Sequence, residues 1–242
     1  MYVQNRLGII EGTETMLAHE RRMDQIANNL ANVDTAGYKK EDITFWEMMF
    51  KTQDQRPRVG KAMKLLTDQR HGSAEETGNT LDFAISGDGF FRIQTPNGVR
   101  FTRNGNFTLN NQGQLSTLDG NLVLGNGGPI TLDDQNIAVA PDGQITANGE
   151  PINQLSLVTF PDLNGLEKEG ANLFRIKTGA AQEQAVPTPS IQQGYLEGSN
   201  VNVVAEMTEM IDLQRAYQSQ QKAIQTTDDI DQQSTSRVGK LT

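Results

Sequence analysis

The chain has no cysteine. That excludes disulfides, thiolate nucleophiles and Cys-ligated zinc. It fixes no compartment, although it permits an oxidising one without mispairing. Histidine is nearly absent as well, with only His19 and His71. Neither sits at a carboxylate–histidine spacing that suggests a metal site or a triad. No stretch approaches the ~20 apolar residues of a membrane-spanning helix. The start of the chain lacks a basic segment, an apolar run and a small-residue cleavage site, so no cleaved signal peptide is expected. General routes would leave such a chain in the cytoplasm, whereas a specialised export route would leave no such mark.

Clustered positive charge is also missing. The net charge is -9, and the only adjacent basic pairs are Arg21-Arg22 and Lys39-Lys40. Both pairs read as solvated helix or turn surface, and a nucleic-acid grip is not expected. Few groups look chemical. Gly87-Asp88-Gly89 and Asp142-Gly143 read as turns. Asp133-Asp134 is two loop carboxylates in a row, weak grounds for a cation site. Gly125-Asn126-Gly127-Gly128 lacks the following lysine and the strand-to-helix context of a phosphate loop. Asn106-Phe107-Thr108 fits a glycosylation triplet but falls in a strand-turn unit. The sequence therefore offers no catalytic residue, no metal ligand set and no cofactor site, and a non-enzymatic role is expected.

Both ends of the chain do carry a pattern. Ile9, Met16, Met23 and Leu30 recur every seven residues, with Ile26 and Val33 at the intervening positions three residues after Met23 and Leu30. Near the other end Val203, Met210, Tyr217 and Ile224 repeat at the same spacing, flanked by Val204, Met207 and Ile211. A seven-residue apolar repeat gives a helix a narrow stripe that needs a partner helix. Periodicity alone leaves two readings open. A helix hairpin closing the domain's own core stands ahead of an element that packs between copies.

The first helix is expected to end near Asn32, with a turn at Gly37, where positive φ is accessible. Lys39 to Thr80 has no clear assignment. From Leu81 the period changes to two, and turn signals such as Asn104-Gly105, Asp119-Gly120 and Pro141-Asp142-Gly143 follow at short intervals. Such signals between short apolar runs indicate hairpins. Short strands are expected at 99–102, 107–109, 122–124, 137–140, 144–147, 155–160 and 173–177. A Pro, Gln and Ser linker follows, then a helix capped within Gly198-Ser199-Asn200 and running to about Ile230. The expected fold class is α+β (mainly β), a β-hairpin-rich central domain flanked by N- and C-terminal amphipathic helices that pair as a coiled coil. The expected division is an N-terminal helix and turn (1–37), an irregular connector (38–80), a β-rich domain (81–181), a linker (182–200) and a C-terminal helix (201–242).

Three runs of residues carry a resemblance. Ala27-Asn28-Asn29-Leu30-Ala31-Asn32-Val33-Asp34-Thr35-Ala36-Gly37-Tyr38-Lys39-Lys40 closely resembles the N-terminal signature of bacterial flagellar rod and hook proteins. Leu81 to Phe91, which includes Gly87, Gly89, Phe90 and Phe91, is similar to the start of that family's β domain, as is Phe101 to Phe107. Gln193 to Val203, with Gly194, Ser199, Asn200 and Val201, resembles the entry to its C-terminal helix. The three runs come in the family's order.

The resemblance implies a structural subunit of the flagellar basal-body rod. Such a subunit leaves the cell unfolded through the flagellum's own export apparatus, without a cleaved signal peptide. It self-assembles through its terminal helices into a helical drive shaft across the periplasm. Its implied partners are copies of itself, neighbouring rod proteins and the export apparatus, with no nucleic acid and no membrane insertion. The assembly reading of the helices then overtakes the self-contained one. The expected interface is Ile9, Met16, Met23, Ile26, Leu30, Val33, Val203, Val204, Met207, Met210, Ile211, Tyr217 and Ile224. The short stretch from Lys40 to Leu81 favours a proximal over a distal rod type. The alternatives are a distal rod or hook-type protein, a self-contained periplasmic binding module, or an enzyme cutting peptidoglycan, for which no carboxylate pair is visible. Narrow-striped helices are marginal alone in water, so the termini are expected to order only on joining the rod.

Overall fold

The computed structural model describes residues 2–51, 57–132, 137–180 and 182–238. The chain forms two compact units, each assembled from separated segments. One comprises 1–31, 41–66 and 202–242, and the other 32–40 and 67–201.

The first unit holds two long helices, α1 (Tyr2–Ala31) and α2 (Val203–Val238), and two strands, β1 (Glu41–Lys51) and β2 (Pro57–Thr67), which pair with each other. Helix α1 contains no proline, and no glycine or proline interrupts α2. At 1.5 Å per residue the 36 residues of α2 span ~54 Å, longer than the sequence suggests. Its cap is Asn202 rather than Ser199 or Asn200. The Asn202 side chain accepts from the amide of Ala205 at 3.0 Å, satisfying a donor that the first turn leaves without a helical partner. The stretch from residue 38, expected as an irregular connector, carries the β1–β2 pair. Its apolar cluster around Phe45 and Trp46 lies in β1.

The two helices run antiparallel. Gly12 faces Gln220 and Ile224, Arg22 pairs with Glu209, and Asn29 meets Glu206. A Cβ on Gly12 would stand 2.8 Å from the Gln220 amide nitrogen, so the glycine lets the helices approach at that level.

The second unit is antiparallel in every strand pair among its described residues. Among the described residues its main sheet has 10 strands, with Phe90–Thr95 paired to Gly98–Thr102, Leu122–Gly125 and Leu157–Thr159. Gln144–Ala147 is the middle of a smaller three-stranded sheet. Phe90 and Phe91 explain how the main sheet is buried. Successive residues of a strand face opposite sides. Phe91 therefore joins Phe107, Leu115 and Val123 in one core, while Phe90 joins Phe101, Phe160 and Phe174 in another. The rings of the second core meet edge to face, with centroids 4.9–5.8 Å apart, the arrangement that aromatic quadrupoles favour. The segment expected as a linker carries three strands among its described residues, the first of which, Gln184–Ala185, pairs with Leu157–Thr159. Ile191–Gln193 pairs with Phe83–Ile85, and Tyr195–Glu197 with Ala74–Glu76.

Candidate functional site

In the helical unit the heptad residues and their neighbours divide. Val203, Met210, Tyr217 and Ile224 are half-buried, as are Met16, Met23 and Leu30 on α1, and Ile26 is fully buried. Val204, Met207 and Ile211 remain exposed, at 74%, 49% and 50%. On α1, Ile10 and Leu17 are exposed too, though neither is in the expected interface. Helix α2 therefore has one half-buried apolar row, whose Ile224 meets Gly12 of α1, and a second row exposed to solvent. A groove of about 850 Å³ begins at Val204 of that second row and is lined also by Arg22, Thr208, Glu209, Asp212 and Leu213. The side chain of Ile9 lies outside the described residues. Val33 belongs to the second unit, where it is half-buried.

A polar contact between α1 and α2 is buried in this unit. Asn29 and Glu206 are each 1% exposed. The Asn29 amide nitrogen donates to the Glu206 carboxylate at 3.1 Å and to the carbonyl of Glu41 at 2.9 Å. Its oxygen accepts from the amide of Glu41 at 3.1 Å. The side chain thus presents a donor and an acceptor to one backbone residue, as a neighbouring strand would, and it sets where β1 begins. An asparagine is a poor choice for a helix interior on propensity alone. Here its amide is consumed by β1 and α2.

The second unit contains a buried charge cluster centred on Glu197. Lys39 Nζ lies 2.5 Å from one carboxylate oxygen, and that oxygen also accepts from the amide of Gly72 at 3.1 Å. Arg103 donates to the other oxygen at 3.2 Å and to the carbonyl of Gly87 at 2.8 Å, with its guanidinium 5.3 Å from the Phe90 ring centroid. Lys39 also donates to the carbonyl of Arg70 at 2.8 Å. Burial works against the Glu197 charge, but Lys39 and Arg103 beside it hold the carboxyl below the usual carboxylate range. Burial also lowers Lys39 and Arg103 from their ordinary values, against the opposing pull of Glu197. Every charge has an opposite partner and further hydrogen bonds, the condition under which buried ions are tolerated.

Backbone bonds reinforce the cluster. The amide of Gly37 donates to the carbonyl of Glu197 at 2.7 Å, and the amide of Lys40 to the Asn200 side chain at 2.7 Å. Asn200 donates in turn to the carbonyls of Asp68 and Arg70, at 2.9 and 3.0 Å. Lys168 sits 3.7 Å from the Tyr38 ring centroid and donates to the carbonyl of Lys39 at 3.1 Å. Gly37 has φ +67, and a Cβ there would fall 2.3 Å from the backbone nitrogen of Asn104. The Lys39-Lys40 pair was expected on the solvated surface. Lys39 is instead 1% exposed, because its ammonium replaces water with Glu197 and a carbonyl.

The other sequence candidates stay structural. His71 is partly exposed, 3.4 Å from Asp88 and 3.6 Å from Glu197. Gly87 and Gly89 both take positive φ around exposed Asp88. Gly125 and Gly128 face each other across a tight hairpin. Asp133-Asp134 lies outside the described residues. Among the described residues no three acidic or histidine side chains gather closely enough to hold a metal ion.

Known proteins match the chain along most of its length. Residues 12–39 fit a family described as flagella basal body rod protein, 84–147 the flagellar hook protein FlgE/F/G D1 domain, and 192–237 the flagellar basal body rod FlgEFG protein C-terminal. A flagellar basal-body rod protein FlgG of Bacillus subtilis is 37% identical over 92% of this chain and 95% of its own length. The chain belongs to the flagellar basal-body rod protein family. A rod protein FlgF of Caulobacter vibrioides is 35% identical over 95% of this chain and 97% of its own. A FlgG of Borreliella burgdorferi is 35% identical over 89% and 92%. The charge cluster draws one residue from each matched segment, Lys39 from the first, Arg103 from the second and Glu197 from the third. No helix of the described residues is long and apolar enough to cross a membrane.

Proposed function

We propose that this rod-family chain self-assembles through α1 and α2, which pair as a coiled coil and pack against the helices of neighbouring copies and other rod proteins. The observation that carries this reading is the second apolar row of α2. Val204, Met207 and Ile211 stay exposed after the first row has met α1. A helix polar on its outer face would need no further partner, whereas a contiguous exposed apolar row marks an interaction surface. Contacts of this kind are heterologous and propagate as a helical array.

The terminal helices fold on joining the rod, which keeps the chain exportable through the flagellar export apparatus without a cleaved signal peptide. The role is structural rather than catalytic. The short segment between residues 40 and 81 supports a proximal position, although relatives named FlgF and FlgG match at similar identity.

The test is a pair of variants, Met207→Asp and Ile211→Asp, expressed at normal level in a strain deleted for the chromosomal copy. Electron cryotomography should show basal bodies truncated at the proximal rod. Complete rods carrying hooks would overturn the interface assignment. Truncation further out would move the chain to the distal rod.

A further inference from the structure

The segment that leaves α1 and the segment that enters α2 are bonded to each other inside the β unit. Residues 37–40 and 197–200 share the Gly37–Glu197 and Lys40–Asn200 hydrogen bonds, the Lys39–Glu197 ion pair, and a contact from the Asn200 amide to the carbonyl of Tyr38. Glu197 is further held by Arg103, and Asn200 by the carbonyls of Asp68 and Arg70. None of these bonds involves a residue of either helix. Helix α1 ends at Ala31, and α2 begins at Val203.

We infer that this cluster is a clasp that stays closed while the terminal helices are unfolded and sets the register in which α1 and α2 later meet. A helix pair formed from two free chain ends must choose among registers shifted by a heptad, since the apolar row repeats every seven residues. Stripes of Met, Ile, Val and Tyr discriminate weakly between such shifts. Tying the two chain segments together a few residues from the end of α1 and the start of α2 makes the pairing intramolecular and fixes its origin. Only one register then brings Asn29 to Glu206, and every shifted one leaves that buried carboxylate without its amide partner. The clasp and the Asn29–Glu206 contact act in sequence, the first limiting the choice and the second completing it.

This inference rests on the reading that the helices order on assembly, and the two fail in different ways. Because the chain has no cysteine, disulfide trapping reads register without background. Arg22→Cys/Glu209→Cys reports the native register, and Arg22→Cys/Ala223→Cys a register shifted by two heptads. In the dilute chain, with trimethylamine N-oxide added to drive the helices to fold, the native pair should close at least about tenfold faster than the shifted pair, well beyond the about twofold that loop length alone gives. Adding Asn200→Ala, or separately Glu197→Gln, should abolish that preference. Hydrogen exchange of the same free chain should show the amides of Gly37 and Lys40 protected like those of Phe91 and Ile93. Equal trapping of both pairs in the parent chain, a preference that survives both clasp variants, or free exchange at Gly37 and Lys40 would each overturn the clasp. Protection of the helix amides in the free chain bears separately on the folding-on-assembly reading, and overturns that alone.

Discussion

Asn29 hydrogen-bonds both the amide and the carbonyl of Glu41, so a side chain of α1 pairs with the first residue of β1 as a neighbouring strand would. The same amide nitrogen reaches Glu206 on α2. Asn29→Asp keeps the shape but removes the donor and sets two carboxylates face to face in a buried site. A cost of about 3 kcal/mol is expected, enough to raise the concentration needed for assembly more than a hundredfold. Asn29→Ala should cost about 1–3 kcal/mol. Sedimentation of assembled against free protein measures both, and the melting of the β unit should not change with either.

Removing Glu197 should have the opposite distribution of effects. Glu197→Ala leaves Lys39 and Arg103 buried without a counter-charge. The β unit should lose about 3–5 kcal/mol in urea unfolding followed by near-UV circular dichroism. A loss under 1 kcal/mol would mean that water enters the cluster freely.

The pH dependence of the β unit follows from Glu197. Its carboxyl titrates below its ordinary value of 4.5 in the folded chain, so the unfolded chain takes up this proton first as pH falls. The stabilisation from Glu197 is therefore fully present above about pH 5. It is lost progressively below 4.5, through the depressed folded value. Asp68, held low by its hydrogen bonds from Arg70, adds in the same direction. The melting temperature of Glu197→Gln should be lower than that of the parent at neutral pH and should fall less steeply in acid. Parallel curves for the two proteins would contradict the assignment.

Two glycines with positive φ separate backbone strain from steric room. Gly120, at φ +82, has no atom within 4 Å of where a Cβ would stand, whereas Gly37, at φ +67, has the Asn104 backbone nitrogen at 2.3 Å. Gly120→Ala should cost about 1–2 kcal/mol, the left-handed penalty alone. Gly37→Ala should cost clearly more, because backbone on both sides must move. Thermal melts of the two variants give the comparison.

Much of the architecture is legible in the sequence, since it rests on local signals. Asn-Gly and Asp-Gly turns mark the hairpins, and the strands around Phe107, Leu122 and Gln144 fall where the period of two places them. The seven-residue repeats mark α1 and α2, and three motifs mark the family. What the sequence hides is pairing at a distance. Lys39 looks like a surface lysine until Glu197, far along the chain, is placed beside it. Asn200 looks like a helix cap, and only the fold shows it bonded to residues 40, 68 and 70 while Asn202 does the capping. The strands within 184–197 escape notice because each is two or three residues long and takes its stability from a distant partner. Heptad counting also merges two rows that the structure separates: Met210 and Tyr217 are half-buried, while Met207 and Ile211 are exposed.

The antiparallel sense of α1 and α2 has a practical side. Running from Asn29 and Glu206 past Arg22 and Glu209 to Gly12 and Ile224, the pair carries the first residues of α1 and the last residues of α2 to the same end. An affinity tag or fluorescent fusion inserted at the first turn of α1 or the last turn of α2 would crowd one common place, and moving it from one to the other would bring no relief. The turn at Leu118 to Gly120, exposed and with open space around Gly120, is a better point of insertion for a reporter.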